Sequence, residues 1–297
     1  MIHSCIGGSR IVREAPPGSL VVDLGATKVA AAVSSRTRTS ALPVLPRATD
    51  ELAWVTAWIA EDLTSAIDRI VVAAAPEMDA HGVVRRWPNR PGWLGLSLGA
   101  ALAWDGVSVE ILADGAAAAL GEASEQGLAR MLYLGLGTGV ATGWVVDGVP
   151  VPLREPIDLA HTTIADRSAV CVCGRRGCVQ AWASGRGMMD RIVELGLGDL
   201  SWNDIARRWS GPALAQVRRG AVEALAAASR VGAEVFGCEI VVIGGRLVTL
   251  LPELVAEVRE VVVDGPDVRA GRLGGDATLQ GAAALAQTVH PSPRPQC

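Results

Sequence analysis

An α/β protein of two lobes is what this sequence predicts, on three observations. β-branched apolar runs alternate with helical periodicities along the chain, and each half opens on a hairpin bent at a glycine turn. The 297 residues also divide more naturally into two lobes, of roughly 100 to 200 residues each, than into one. Half of the residues are apolar and a fifth are charged, the balance of a folded chain. A formal charge of −4 offers no basic surface to nucleic acid or to an anionic membrane. Residues 1–17 lack an apolar core of signal-peptide length, and no later apolar run is long enough to cross a bilayer, so a cytoplasmic protein is expected. Six cysteines are too few for a disulfide scaffold in a chain this long. Three of them cluster, which in a reducing compartment points to metal.

The elements follow in order. Gly18 to Val33 is an apolar run broken by Asp23-Leu-Gly-Ala-Thr27, which reads as strand, tight turn, strand. Thr49 or Asp50 can cap a helix running to Asp68, with Leu52, Val55, Trp58, Ile59 and Leu63 at three-to-four spacing. A strand at 70–75, a helix at 93–104, a strand at 107–112 and an Ala-rich helix at 115–130 continue the alternation. The second half repeats the opening: strands near 131–136 and 143–146 flank Gly137-Thr138-Gly139. Helices are expected at about 180–195, 213–236 and 247–263, with a short strand at 240–243, and a last helix at 277–289. Residues 1–17 and 290–297 read as loosely held ends.

Four features carry chemistry. Asp23-x-Gly25-x-Thr27 and Gly137-Thr138-Gly139 can gather backbone N–H groups and a hydroxyl on one point, as phosphate-binding nests do. Either turn taken singly could be an ordinary hairpin bend. An acid beside such a nest is repulsive unless a cation bridges them, so Asp23 suggests Mg²⁺ and with it a nucleotide. Asp114 stands where a strand passes into the Ala-rich helix. It is placed either to act as a base on a bound hydroxyl or to cap the helix. His161 followed by Cys171, Cys173 and Cys178 forms a complete Cys₃His set for a structural zinc ion, against the alternative of buried free thiols. Lys28 is the only lysine, a distribution that coding bias or a local need for a compact ammonium would each explain. Cys5, Cys238 and Cys297 read as packing or loose-end thiols.

Taken in order, Asp23 to Lys28, Pro88-Asn89-Arg-Pro-Gly-Trp93, Asp114 with Leu120-Gly121-Glu122, Gly137 to Gly139, His161 and the cysteine cluster resemble the ROK family of sugar kinases and repressors. The resemblance runs from about Leu20 to Ala286. It implies an actin- and hexokinase-like (ribonuclease H-like) fold, with ATP and sugar in the cleft between two lobes. The smaller lobe would comprise 18–113 together with the last helix at 277–289, and the larger one 114–276 with the zinc-bound loop.

By that likeness Asp114 is the general base on the sugar's primary hydroxyl. Asp23, Gly25, Thr27, Lys28, Gly137, Thr138 and Gly139 serve the phosphates of Mg·ATP, while Gly244 and Gly245 pass the adenosine. Asn89, Asp158, His161 and Gln180 join Asp114 around the sugar, and His161 also ligates zinc. The chain departs from the family where relatives carry Glu-x-Gly-His (here Asp158-Leu-Ala-His161), Asn-Asp (here Ala113-Asp114) and Glu two residues beyond the third cysteine (here Gln180). Those are sugar contacts, so an amino sugar or a C7-cyclitol of a natural-product pathway, such as antibiotic biosynthesis, weighs as much as a plain hexose. The alternatives are a glucokinase or other hexose 6-kinase, and a non-catalytic sugar-sensing regulator. Against the regulator, only about twenty residues precede Asp23. A homodimer or homotetramer is expected, with a small-molecule substrate and no nucleic-acid or membrane partner.

Overall fold

A computed structural model describes residues 14–87, 90–151, 158–163, 168–198 and 200–288. β1 (Ser19–Leu24) sets Leu20, Val22 and Leu24 on one face and Val21 on the other, all fully buried, as befits a strand covered on both sides. The chain turns at 25–27 into antiparallel β2 (Lys28–Val33) and then β3 (Arg36–Ala41). The sequence reading missed β3 because Arg-Thr-Arg-Thr-Ser is polar on both faces, which only an edge strand tolerates. α1 (Ala48–Ala60) leads to β4 (Arg69–Ala74), parallel to β1. A small hairpin of β5 (Glu77–Met78) and β6 (Val84–Arg86) and a short α2 (Leu98–Ala101) precede β7 (Ser108–Ala113), parallel to β4.

α3 (Asp114–Gln126) carries the chain to a second sheet of β8 (Met131–Leu136), β9 (Val140–Val146), β10 (Val149–Val151), β11 (Ile240–Gly244) and β12 (Asp267–Ala270). The orders are β3-β2-β1-β4-β7 and β10-β9-β8-β11-β12. Each is an antiparallel triplet extended by two parallel strands. The repeat seen in the two hairpins therefore extends to whole sheets, giving the two-lobed, actin-like α/β class expected. Between β10 and β11 lie α4 (Val179–Ala183), α5 (Gly185–Glu194), α6 (Trp202–Arg208) and α7 (Ala215–Phe236). α8 (Arg246–Leu250) and α9 (Glu253–Val261) flank the parallel strands, and α10 (Ala277–Gln287) closes the chain.

α3 is alanine-rich because it is buried all round. Ala117 and Leu120 join a cluster with Val21 and Val71 of the first sheet, whereas Ala118, Ala119 and Ala123 pack with Met131, Tyr133 and Val145 of the second. α10 lies against α3 and the first sheet. A Cβ on Gly281 would stand 1.7 Å from the Ala117 carbonyl oxygen, and one on Gly121 2.4 Å from that of Ala277, so the two backbones touch.

Several expected boundaries are corrected. α1 stops at Ala60, well before Asp68, because Asp62 is drawn to Arg36 and Arg38 of β3. The helix at 93–104 shrinks to a 3₁₀ turn at Pro91–Trp93 and to α2, interrupted at Gly95 with φ +83°. Ser184 splits the helix at 180–195 by capping α5 through the Gly187 N–H, and Leu251-Pro252 splits the one at 247–263. Order also reaches into the end expected to be loose: Ala15 is buried and its N–H donates to Ser34. No helix of the described residues is long and apolar enough to cross a membrane.

Candidate active site

A cleft of about 1240 Å³ opens between the sheets. Asp23, Gly25, Thr27, Lys28, Asp114, Gly137, Thr138, Gly139, Asp158, His161, Gln180 and Gly245 all line it, although they come from six separate stretches of the sequence. Gly244 does not. It ends β11 against the Tyr133 ring, where a Cβ would come within 2.8 Å. Asn89 lies outside the described residues.

Asp114 is the first residue of α3, directly after the end of β7, at the floor of the cleft. Its Oδ1 accepts the Gly115 N–H at 2.7 Å, while the extended Ala113 occupies the capping position without a side-chain bond. Burial pushes the Asp114 carboxyl above the ordinary carboxylate range; the Gly115 N–H opposes this and Asp158 adds to it. A carboxylate so poorly solvated takes up a proton readily, as a general base must.

Asp23, 7 % exposed, stands across the cleft with the Lys28 ammonium 3.7 Å from its Oδ2. Burial pushes its carboxyl up to about 6, with Lys28 opposing and Asp114 and Asp276 contributing. The ionised form, which a cation or Lys28 requires, is therefore lost as pH falls through 6. Between pH 7.5 and 5.5 the ionised fraction drops about four-fold. The affinity for MgADP, measured by titration calorimetry, is expected to weaken by that factor relative to Asp23→Asn, which has no such group to protonate. Parallel pH curves for the two proteins would remove Asp23 from nucleotide binding.

The cysteines sit on a loop whose tight bends use Gly174 and Gly177 at φ +84° and +72°, where a side chain would be strained. Cys171 N–H donates to Arg175, and isolated bridges join Val170 to Arg176 and Thr163 to Cys178. The loop brings Cys171 Sγ to 3.5 Å from His161 Nδ1 and Cys173 Sγ to 3.7 Å from Cys178 Sγ. All four donor atoms lie within 4.8 Å of one another. Tetrahedral zinc with ordinary bond lengths sets such N···S and S···S separations at about 3.6 and 3.8 Å. Burial and the neighbouring Cys171 push the Cys178 thiol up to about 12, while Arg175 lowers that of Cys173; three thiolates this close carry more negative charge than one arginine balances. The donor set fits a zinc ion. Cys238, read as packing, is buried and accepts the Trp144 Nε1–H.

His161 turns its other nitrogen to the cleft, with Nε2 3.8 Å from Asp158 Oδ2. Asp158 also caps the 3₁₀ turn at Leu159–His161 through the Ala160 N–H. Gln180 bridges two parts of the site. Its Oε1 accepts the Val140 N–H at 3.0 Å, beside the Gly137–Gly139 turn, and its Nε2 lies 4.0 Å from Cys171 Sγ.

Sequence reasoning missed the clamp under the first turn. Arg90, 8 % exposed, donates to the carbonyls of Ala26, Leu42 and Pro43 and pairs with the buried Glu51 carboxylate, which also accepts Trp93 Nε1–H. An arginine beside Pro-Gly-Trp, and a glutamate in a first helical turn, look like surface residues in a sequence. The contribution of Gly274, Gly275 and Thr278 to the cleft was missed as well, although Gly-Gly-Asp before a helix is a signal that could have found it.

The ROK family model matches residues 19–289. The kanosamine kinase of Amycolatopsis mediterranei is 34 % identical over 294 residues, covering 92 % of this chain and 97 % of that protein. The N-acetylmannosamine kinase of Salmonella paratyphi A is 30 % identical over 290 residues, 91 % of this chain and 98 % of that one. Among solved structures, a ROK family glucokinase from Streptomyces griseus in complex with glucose and AMPPNP superposes with a TM-score of 0.73 at 25 % identity, covering 91 % of this chain and 99 % of that chain.

Proposed function

The chain belongs to the ROK family and is an ATP-dependent sugar kinase, and on that premise we propose that it phosphorylates the primary hydroxyl of an amino hexose or a C7-cyclitol in preference to glucose. The observation that carries the reading is the position of Asp114, poorly solvated at the floor of the cleft into which both glycine turns project. Asp114 takes the proton of the hydroxyl as its oxygen attacks the γ-phosphorus. The P–O bond to ADP breaks, and the proton remains on the carboxyl. The turns at Gly25–Thr27 and Gly137–Gly139, with Lys28, orient the phosphates. Asp23 would hold magnesium through water, and the ion when bound neutralises phosphate charge. His161, Cys171, Cys173 and Cys178 would hold zinc, which keeps the His161 ring in place beside the sugar. The lobes, taken as 18–113 with 277–289 and as 114–276, close over the substrates and exclude water.

The substrate preference rests on what surrounds Asp114. Ala113 offers no amide, the oxygen of Gln180 is engaged by Val140, and Asp158, beside His161, is close enough to Asp114 to influence it. Two carboxylates close enough to influence each other suit a ring rich in donors, whether hydroxyl or ammonium. The two sequence relatives are named for an amino hexose and an N-acetylated amino hexose. Release of ADP across kanosamine, glucosamine, N-acetylmannosamine, C7-cyclitols, mannose and glucose is the test. An amino hexose or a cyclitol should exceed glucose in kcat/KM by about ten-fold, one lost hydrogen bond or ion pair in the transition state. Glucose at the head of that ranking would overturn the preference; no ADP from any of them would overturn the enzyme.

A further inference from the structure

Glu122 is a fully buried acid that the chemistry above does not use. It sits in the third turn of α3, the helix whose first residue is Asp114. Its Oε1 accepts the Leu273 N–H at 2.9 Å, and its Oε2 accepts the Arg272 N–H at 2.9 Å and Gln126 Nε2–H at 3.1 Å. The segment it grips runs directly into Gly274, Gly275 and Thr278, which wall the cleft beside Gly245 and Arg246: a Cβ on Gly275 would stand 3.9 Å from the Arg246 Cβ. The fit is tight. A Cβ on Gly271 would lie 2.7 Å from Glu122 Oε1 and 2.7 Å from the Gly244 α-carbon, so the backbone at Gly271 is pressed between the carboxylate and the end of β11.

We propose that Glu122 is a positioning residue for the nucleotide: it fixes the 271–275 backbone to the helix that carries Asp114, so that the nucleotide wall and the proposed base share one rigid element. This rests on the kinase reading, whose nucleotide end is the Gly245 side of the cleft. The anchor demands a carboxylate because two backbone donors and one side-chain donor converge on it, and only a group that accepts at both oxygens satisfies them. Glutamine keeps the shape but aims an N–H₂ group at one of those N–H groups. The loop then detaches on one side, while the sugar end, formed by Asp158 and His161, is untouched.

The test is titration of Glu122→Gln with MgADP by calorimetry, together with KM values for ATP and for the best sugar of the ADP-release screen. Expected are an MgADP affinity weakened about ten-fold and a KM for ATP raised to match, with the KM for sugar within two-fold of wild type. Because a buried unmatched amide could unfold the protein, Gln126→Met is the milder partner; it deletes only the third donor and should shift the ATP terms about two-fold in the same direction. Equal rises in both KM values, or ATP terms that stay unchanged in both folded variants, would overturn the assignment and leave Glu122 a purely structural residue. Wild-type protein that binds no MgADP would instead overturn the kinase reading itself, and this inference with it.

Discussion

Asp114→Asn is expected to lower phosphoryl transfer by about 10²- to 10⁴-fold, the range that a positioned general base supplies, while MgADP and sugar still bind. With Ala113 and not Asp114 at the N-cap, the expected capping role narrows to bracing the Gly115 N–H, and the substitution separates that role from a base. Asparagine caps helices as well as aspartate does, and its amide oxygen can still accept the Gly115 N–H that Oδ1 now accepts at 2.7 Å. A capping role alone would thus survive the change, with both turnover and melting temperature near wild type. A base would not survive it, because the amide cannot take a proton. Stability should even rise slightly. The wild-type carboxyl is raised by burial, so its ionised form is disfavoured in the fold, and the stability present below the ordinary carboxylate range is lost as pH rises through the raised value. The neutral amide never incurs that loss. Single-turnover ADP formation and a thermal melt of the same preparation decide the matter. Equal ADP formation by the two proteins would remove Asp114 from the chemistry and the mechanism with it.

The repeat of hairpin and glycine turn was legible because both turns interrupt long apolar runs, and the whole-sheet repeat followed from it. The convergence on one cleft was legible only by family likeness. Nothing in the local spacing of Asp23, Asp114 and His161 says that they line a common wall, since that is set by α3 lying between the two sheets. Two of the boundary errors share one physical origin. Helical periodicity persists through 184 and through 251–252, where a serine cap and a proline end one helix and start the next without disturbing the apolar spacing. Gly244 and Gly245 share an expected adenosine role by family likeness alone, and of the two only Gly245 lines the cleft and adopts a left-handed conformation, at φ +89°. Glu122 and Arg90 escaped assignment because charged residues are seldom fully buried, and the partners that allow it are backbone groups far away in sequence.

Zinc analysis of the purified protein is expected to give about one ion per chain, and Cys173→Ser to lose it together with much of the fold's stability. Cys173 is the informative position among the three. Cys171 and Cys178 are 4 % and 0 % exposed, so replacing either would also place a hydroxyl in the core, whereas Cys173 is half-buried. An effect there reports the metal more than the packing. A site saturated a thousand-fold above its dissociation constant stabilises the native state by about 4 kcal/mol. In a lobe of 150 to 250 residues that corresponds to about 8 to 16 degrees of melting temperature. The loss should reach the cleft as well, because His161 is held by Nδ1 on the cluster side and Gln180 links Cys171 to the turn through Val140. Weakened MgADP and sugar binding should therefore accompany the lower melting temperature, and incubating wild-type protein with a strong chelator should reproduce all three changes. Wild-type protein free of zinc, or a Cys173→Ser protein that keeps one ion per chain at an unchanged melting temperature, would show that these four side chains do not form a metal centre. The 3.5 and 3.7 Å separations would then be those of packed neutral groups.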